Sequence, residues 1–267
     1  LLCQCRPRAD LAIAPSSWRR LEPGARKRLQ LKVYRNTLAA PDVSLLQLRL
    51  PAGQRAKFRA GQYLQVHLPD GERRSYSMAN PPHESDGVQL HVRHVAGGRF
   101  SALVAELQPG DLLDVELPFG QVELDPEAGS PLLCVCGGTG FAPIKAIVEH
   151  LRAQGSTRPI TLYWGGRRPA DLYMDGWVKE FQNRMPSLRY VPVVSDALEE
   201  DQWTGRVGFV HQAALEDFQD MREYQVYACG APIVVESARR DFVAHAGLPP
   251  EEFYADAFTS EADKANS

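Results

Sequence analysis

The sequence predicts a two-domain protein: an antiparallel β-barrel followed by an α/β domain on an open parallel sheet. Three observations carry that expectation. Between about residues 29 and 124, short runs of alternating apolar and polar residues are separated by turn residues, the texture of closely spaced antiparallel strands. At Asp125-Pro126-Glu127-Ala128-Gly129-Ser130-Pro131 the composition turns linker-like. Beyond it, apolar runs alternate with segments of helical periodicity, the pattern of a parallel sheet with helices on both faces. The 267 residues suffice for two domains.

In the first half, strands are expected at about 29–34, 43–50, 62–68, 73–78, 88–95 and 111–117. Pro41-Asp42, Pro51-Ala52-Gly53, Pro69-Asp70-Gly71 and Pro109-Gly110 punctuate them. One helix fits between the last two strands, at 100–107, where Phe100, Leu103, Val104 and Leu107 share a face. A single inserted helix among short antiparallel strands suits a small barrel. In the second half, strands at about 132–136, 160–164, 188–194 and 225–229 precede helices near 141–154, 170–184, 209–217 and 232–246. A short strand at 252–258 closes the pattern, and the polar residues 259–267 are expected to fray.

The pivot is Leu132-Leu133-Cys134-Val135-Cys136-Gly137-Gly138-Thr139-Gly140-Phe141-Ala142-Pro143-Ile144-Lys145, a strand, a glycine turn and a helix start. Glycines serve where the backbone takes positive φ or closely approaches a ligand. Free N–H groups at a helix start favour an anion. Phe141 and Pro143 depart from the Gly-x-Gly-x-x-Gly fingerprint, and no Gly-Lys-Ser/Thr follows. On this stretch alone, a structural turn and a phosphate cradle both stand. Arg73-Arg74-Ser75-Tyr76-Ser77-Met78-Ala79-Asn80-Pro81 is similarly open, a polar edge strand or a ligand platform with an aromatic plane, a guanidinium and two hydroxyls. Gly97-Gly98 before the inserted helix, with Ser101 near its start, makes either a plain cap or a second phosphate-friendly N-terminus.

A net charge of −3 offers no basic footprint for nucleic acid. No apolar run approaches the ~18 residues of a membrane span. Five cysteines, an odd number without a Cys-x-x-Cys pair, suit a reducing, cytoplasmic compartment better than a disulfide framework. Cys134 and Cys136 point to one face of their strand and read as small buried hydrophobes. The chain opens on Leu1-Leu2-Cys3 without Met, so its natural start is expected upstream.

Arg74-x-Tyr76-Ser77, Gly137-Gly138-Thr139-Gly140-x-Ala142-Pro143 and Cys229-Gly230-x-Pro232, in this order, resemble the ferredoxin–NADP reductase superfamily of flavin-dependent reductases. The resemblance covers about residues 28–258. In character it is nearest to the reductases that feed ring-hydroxylating oxygenases, multicomponent monooxygenases and deoxysugar dehydrases. It implies an FAD-binding β-barrel at 27–128 and an NAD(P)-binding α/β domain at 129–258. Arg74 would hold the flavin pyrophosphate, Tyr76 would pack on the isoalloxazine, and Ser77 would sit near N5. Ser75, His91, Val92, Arg93, Gly98, Arg99, Phe100, Ser101 and Phe258 complete the implied FAD site. Two phosphate-friendly places, Arg74 and the glycine turn before Ser101, favour FAD over FMN. Gly138, Thr139, Gly140, Pro143, Gly230 and Pro232 would face NADH, with Cys229 bordering the nicotinamide. Ser77, Cys229 and Asp256 are the implied catalytic set, Asp256 standing where relatives carry Glu.

NADH is expected over NADPH because Ser195-Asp196-Ala197-Leu198-Glu199-Glu200-Asp201 follows the third strand of the second half. A carboxylate such as Asp196 accepts a bond from a ribose 2′-OH and repels a 2′-phosphate. Arg167 and Arg168 argue the other way, and a solvated acidic loop remains an alternative. Leu1-Leu2-Cys3-x-x-Arg6-Pro7-x-x-Asp10-Leu11 resembles the segment bearing the last ligand of a plant-type [2Fe–2S] ferredoxin module. The other cysteines of that motif are absent, so residues 1–26 read as the end of such a module plus a linker, with no metal held in this chain. The implied function is electron transfer from NADH through FAD to a [2Fe–2S] ferredoxin module or protein, serving a terminal oxygenase or dehydrase. Two alternatives stand beside it: a free-flavin or ferric reductase, and a non-catalytic nucleotide-binding electron-transfer subunit.

Overall fold

A computed structural model describes residues 26–120 and 128–258. The expectations for residues 1–25, Cys3 among them, for 121–127 and for the tail 259–267 lie outside the described residues. The first half is a six-stranded, wholly antiparallel sheet of β1 (Lys27–Ala40), β2 (Val43–Arg49), β3 (Tyr63–His67), β4 (Arg73–Ser77), β5 (Gly87–Arg93) and β6 (Leu112–Phe119). Helix α1 (Arg99–Glu106) lies between β5 and β6 in sequence. The order β4-β3-β6-β1-β2-β5 leaves β4 and β5 at the two edges. Just past β4 the sheet curls shut: Ala79 N–H donates to the Gln89 carbonyl at 2.8 Å, and Asn80 Oδ1 accepts from Gln89 N–H at 2.8 Å. The inward side chains of the alternating runs, such as Leu46, Leu48, Leu64, Val66, Leu90, Val92 and Val115, fill the interior with Phe100 and Val104 of α1.

The second half alternates as expected: β7 (Leu132–Gly137), α2 (Phe141–Ala153), β8 (Ile160–Gly166), α3 (Asp175–Asn183), β9 (Leu188–Val194), β10 (Arg206–Val207), α4 (Val210–Asp217), β11 (Gln225–Gly230), α5 (Pro232–Ala246) and β12 (Phe253–Ala257). All pairs are parallel, in the order β10-β9-β8-β7-β11-β12. Period-two alternation splits β7 between two cores. Leu132, Cys134 and Cys136 pack with α2 and α3, whereas Leu133 and Val135 pack with α4 and α5. Two elements differ from expectation. β1 runs on to residue 40, because its second half is a solvent-facing hairpin arm paired with β2 and carries no hydrophobic alternation to read. β10 is too short for any periodicity to show. No helix among the described residues is long and apolar enough to cross a membrane.

The chain turns from β7 to β8 on one side and later inserts β11 on the other, so β7/β11 is the topological switch point. Two turns meet there at a distance only glycine allows. A Cβ at Gly140 would lie 2.4 Å from the Cys229 carbonyl oxygen, and one at Gly230 would lie 2.9 Å from the Gly137 carbonyl oxygen. Gly230 also has φ +132°. Gly140→Ala is therefore expected to destabilise the protein by about 1–3 kcal/mol through overpacking. Urea unfolding followed by tryptophan fluorescence measures it, and an unchanged midpoint would mean the turns can separate freely.

Candidate functional site

The glycine turn leads directly into α2, through a 3₁₀ turn at Gly138–Gly140. Gly138 has φ +52°, and its carbonyl accepts the indole N–H of buried Trp164 at 2.9 Å. Trp164 stacks on Phe141 with centroids 4.1 Å apart, so the turn rests on a rigid aromatic floor. Sequence reading missed Trp164, which looked like an ordinary strand residue. No side chain caps α2, and none caps α1, whose N-cap is Gly98. α1 thus leaves first-turn N–H groups for an anion, whereas at α2 the preceding 3₁₀ turn takes the Phe141 N–H and Pro143 has none. Pro143 is buried in the first turn of α2, Thr139 is half-buried, and Pro232 opens α5.

On the barrel side, β4 presents Arg74, Ser75, Tyr76 and Ser77 in alternation. Arg74 Nη1 donates to Glu72 Oε2 at 3.1 Å and to the Arg73 carbonyl at 2.9 Å. Ser75 is exposed. Tyr76 leans on Phe100, centroids 4.9 Å apart, and burial pushes its hydroxyl up to about 12. Arg99 is exposed and pairs with Asp70.

Three implied FAD residues turn inward instead. Val92 and Phe100 are core side chains, which leaves Val92 only its backbone and makes Phe100 a support for Tyr76. Ser101 is also buried, its hydroxyl donating to the Gly98 carbonyl at 3.0 Å. The amphipathic pattern that announced α1 already required Phe100 to face inward.

The two halves meet along a seam. Ser77 Oγ donates to Asp256 Oδ2 at 2.8 Å, joining the end of β4 to β12. Asp256 pairs in register with Cys229, itself next to Cys136, so the implied catalytic set converges at the carboxyl ends of β11 and β12. The Cys229 side chain is 0 % exposed, and burial with the nearby Asp256 carboxylate holds its thiol well above the usual range. It is a neutral thiol rather than a nucleophile. Phe258 N–H donates to the Gly230 carbonyl at 2.8 Å, which fixes the segment after β12 over the Gly230 turn.

Farther along the seam, His91 Nδ1 lies 2.9 Å from the Tyr173 hydroxyl. Burial, aided by Lys145, lowers the His91 ring to about 3, so it is neutral. Arg93 bonds Asp42 in its own domain and Asp171 across the seam at 3.1 Å. The implied flavin residues His91 and Arg93 therefore also tie the two halves together. At the rim beyond β8 and β9, Arg167 pairs with Asp196 at 3.0 Å and Arg168 with Asp201 at 2.9 Å. Among the described residues no group of three or more His, Cys, Asp or Glu is placed to hold a metal.

Comparison with known proteins decides the family. Residues 30–124 match the model of the oxidoreductase FAD-binding domain, and residues 134–240 that of the oxidoreductase NAD-binding domain. The chain belongs to the FAD- and NAD-binding reductases of the ferredoxin–NADP reductase type. Reductase component 2 of terephthalate 1,2-dioxygenase from Comamonas is 52 % identical over 260 residues, 97 % of this chain and 77 % of that protein. The CDP-6-deoxy-L-threo-D-glycero-4-hexulose-3-dehydrase reductase of Yersinia pseudotuberculosis is 37 % identical over 97 % of this chain and 77 % of its own. Among solved structures, the Amycolatopsis cytochrome P450 reductase superposes with TM-score 0.81 at 33 % identity, covering 88 % of this chain and 71 % of that one.

The reductase is NAD(P)H-dependent and binds FAD. Its residues fit both groups. The uncapped start of α1 and the glycine turn before α2 offer open backbone to phosphates, and the buried His91 Nε2 has no partner among the described residues, a place for a ligand atom to complete.

Burial raises the Asp256 carboxyl above its ordinary value, and the Ser77 bond opposes that only in part. A carboxyl raised on folding leaves the native state holding more protons than the unfolded one, so stability falls as pH rises through its folded value. Asp256→Asn removes this loss while keeping an acceptor for Ser77. The variant is expected to gain in Tm over wild type at pH 8 and not at pH 4. Parallel melting curves with pH would refute this.

Proposed function

We propose that this reductase takes its reducing equivalents from NADH rather than NADPH and delivers them singly to a [2Fe–2S] centre serving a terminal oxygenase or dehydrase. The observation that carries the reading is the Ser77–Asp256 bond, which brings the flavin strand to the carboxyl ends of β11 and β12. Bound FAD supplies the chemistry, accepting two electrons with a proton and releasing the electrons one at a time. The protein's own residues bind, orient and exclude water. Arg74 would neutralise the flavin pyrophosphate, and Tyr76, backed by Phe100, would offer a flat apolar surface to the ring. Ser77 would sit at the reacting edge, its hydroxyl proton given to Asp256 and its oxygen left to accept. Cys229 and Gly230 would border the nicotinamide. The Gly138–Gly140 turn and the start of α2 would take the dinucleotide phosphates.

The acceptor reading is supported by relatives named as reductase components of a dioxygenase and a dehydrase. A purified [2Fe–2S] ferredoxin, assayed against free flavin and a ferric chelate with limiting NADH, tests it. Faster turnover on the ferredoxin is expected, and preference for free flavin or ferric iron would replace this reading with a simpler reductase.

Ser77→Ala and Cys229→Ser are expected to slow anaerobic flavin reduction at saturating NADH by at least about tenfold, the effect of one lost contact worth ~1.4 kcal/mol in the transition state. Flavin content should stay at the wild-type level in both. Stopped-flow rates equal to wild type would remove the two residues from the mechanism.

Selection for NADH is supported at the rim, where Arg167 and Arg168 are already engaged by Asp196 and Asp201. Asp196→Arg should narrow the ratio of kcat/KM for NADH over NADPH by about tenfold or more, a change of ~1.4 kcal/mol. A wild-type enzyme using NADPH as well as NADH would overturn the assignment.

A further inference from the structure

Lys145 is a buried cation for which the site described so far has no use. It lies in α2, just beyond the glycine turn, and is 6 % exposed. Its Nζ donates to the Ala79 carbonyl at 3.1 Å and to Glu149 Oε2 at 2.8 Å, and stands 5.2 Å from the centre of the Trp177 ring. An ammonium withdrawn from water is costly unless it is paired and hydrogen-bonded. A lysine–glutamate pair four residues apart ordinarily sits on a solvated helix face. Here the pair is turned into the seam, and burial pushes the Glu149 carboxyl up despite the neighbouring ammonium.

What Lys145 grips is itself pinned. Ala79 follows Ser77 by two residues, and its own N–H is held by the Gln89 carbonyl of β5. The Lys145 bond therefore joins the helix that carries the glycine turn to the strand end that carries Ser77. Other seam contacts fall on other elements of the α/β domain: Ser77–Asp256 on β12, Tyr227–Gly61 on β11, and Arg93–Asp171 and His91–Tyr173 on the segment between β8 and α3.

We propose that Lys145 is a positioning residue for hydride transfer, its ammonium fixing α2 against the Ala79 carbonyl and so setting the approach of nicotinamide to flavin. This rests on the function proposed above. Transfer between two rigidly held rings is steep in distance, and a displacement near 1 Å can cost about 100-fold.

The test uses the FAD-loaded protein with Lys145→Met, which keeps the stem and removes the ammonium, and with Glu149→Gln, which keeps the bond to Ala79. Lys145→Met is expected to slow anaerobic flavin reduction at saturating NADH by about 10- to 100-fold. Flavin content and NADH affinity should stay near wild type, and amide exchange at residues 77–80 and 141–149 should rise without NADH present. Glu149→Gln should reduce its flavin at close to the wild-type rate. If Lys145→Met does not retain FAD, Lys145→Gln is read in its place. A Lys145 variant as fast as wild type overturns the proposal. So does a Glu149→Gln variant as slow as Lys145→Met, or unchanged exchange at the seam. A wild-type protein that NADH does not reduce would instead count against the proposed function, and the exchange measurement would still judge the role of Lys145 in the seam.

Discussion

The structure is organised by the contact between two glycine turns at the centre of the parallel sheet. With a Cβ at position 140 only 2.4 Å from the Cys229 carbonyl oxygen, no other residue lets the ends of β7 and β11 come so close. That closeness does two things at once. It opens the crevice of the switch point directly above α2, whose first turn no side chain caps. It also puts Cys229 and Gly230 beside Gly137, so whatever rests on one turn touches the other. The Trp164 indole, bonded to the Gly138 carbonyl and stacked on Phe141, stops the turn from relaxing. A glycine-rich turn is usually read for its freedom, but here the glycines are needed for packing and the turn is held stiff.

The second constraint is dryness. His91, Cys229 and Tyr76 are all driven towards their neutral forms by burial. Asp256 is moved in the same direction, though Ser77 partly stabilises its charged form. A seam of neutral donors suits the movement of a hydride, because no fixed ionic field near the rings has to reorganise as charge shifts. The full charges that remain, Lys145 with Glu149 and Arg93 with Asp42 and Asp171, are paired. Lys145 reaches the barrel through the Ala79 carbonyl, and Arg93 reaches the α/β domain through Asp171. The Lys145–Glu149 pair, 8 % and 20 % exposed, is the one most sensitive to loss of a partner, as a buried charge left alone is costly.

Much of this was legible in the sequence, for reasons that can be stated residue by residue. Alternation of Leu132, Cys134 and Cys136 against Leu133 and Val135 announced a strand buried on both faces, and both cores are there. The order of the three motifs announced the family. What stayed hidden was long-range. Nothing local distinguishes Lys145 from any lysine on a helix, and only the distance to Ala79 shows that it leaves its own domain. Phe100 and Ser101 lie within a motif, yet both side chains are buried, so what they offer a ligand is their backbone and the support Phe100 gives Tyr76. The pairing of Arg167 with Asp196 is hidden too, since 29 residues separate them in sequence.

That pairing bears on the proposed choice of NADH. Arg167 is 79 % and Asp196 49 % exposed, so their bond contributes little to stability, about 0–1 kcal/mol. Both contacts from the guanidinium fall on Asp196 Oδ2, which leaves Oδ1 to accept from a ribose hydroxyl without breaking the pair. On the proposed reading a 2′-phosphate gains little there. It would have to pull Arg167 from Asp196, leave that carboxylate facing it, and do so beside Glu199, Glu200 and Asp201. On the proposed reading, preference for NADH arises from arginines that are present but spoken for, and removing carboxylates should matter more than adding cations.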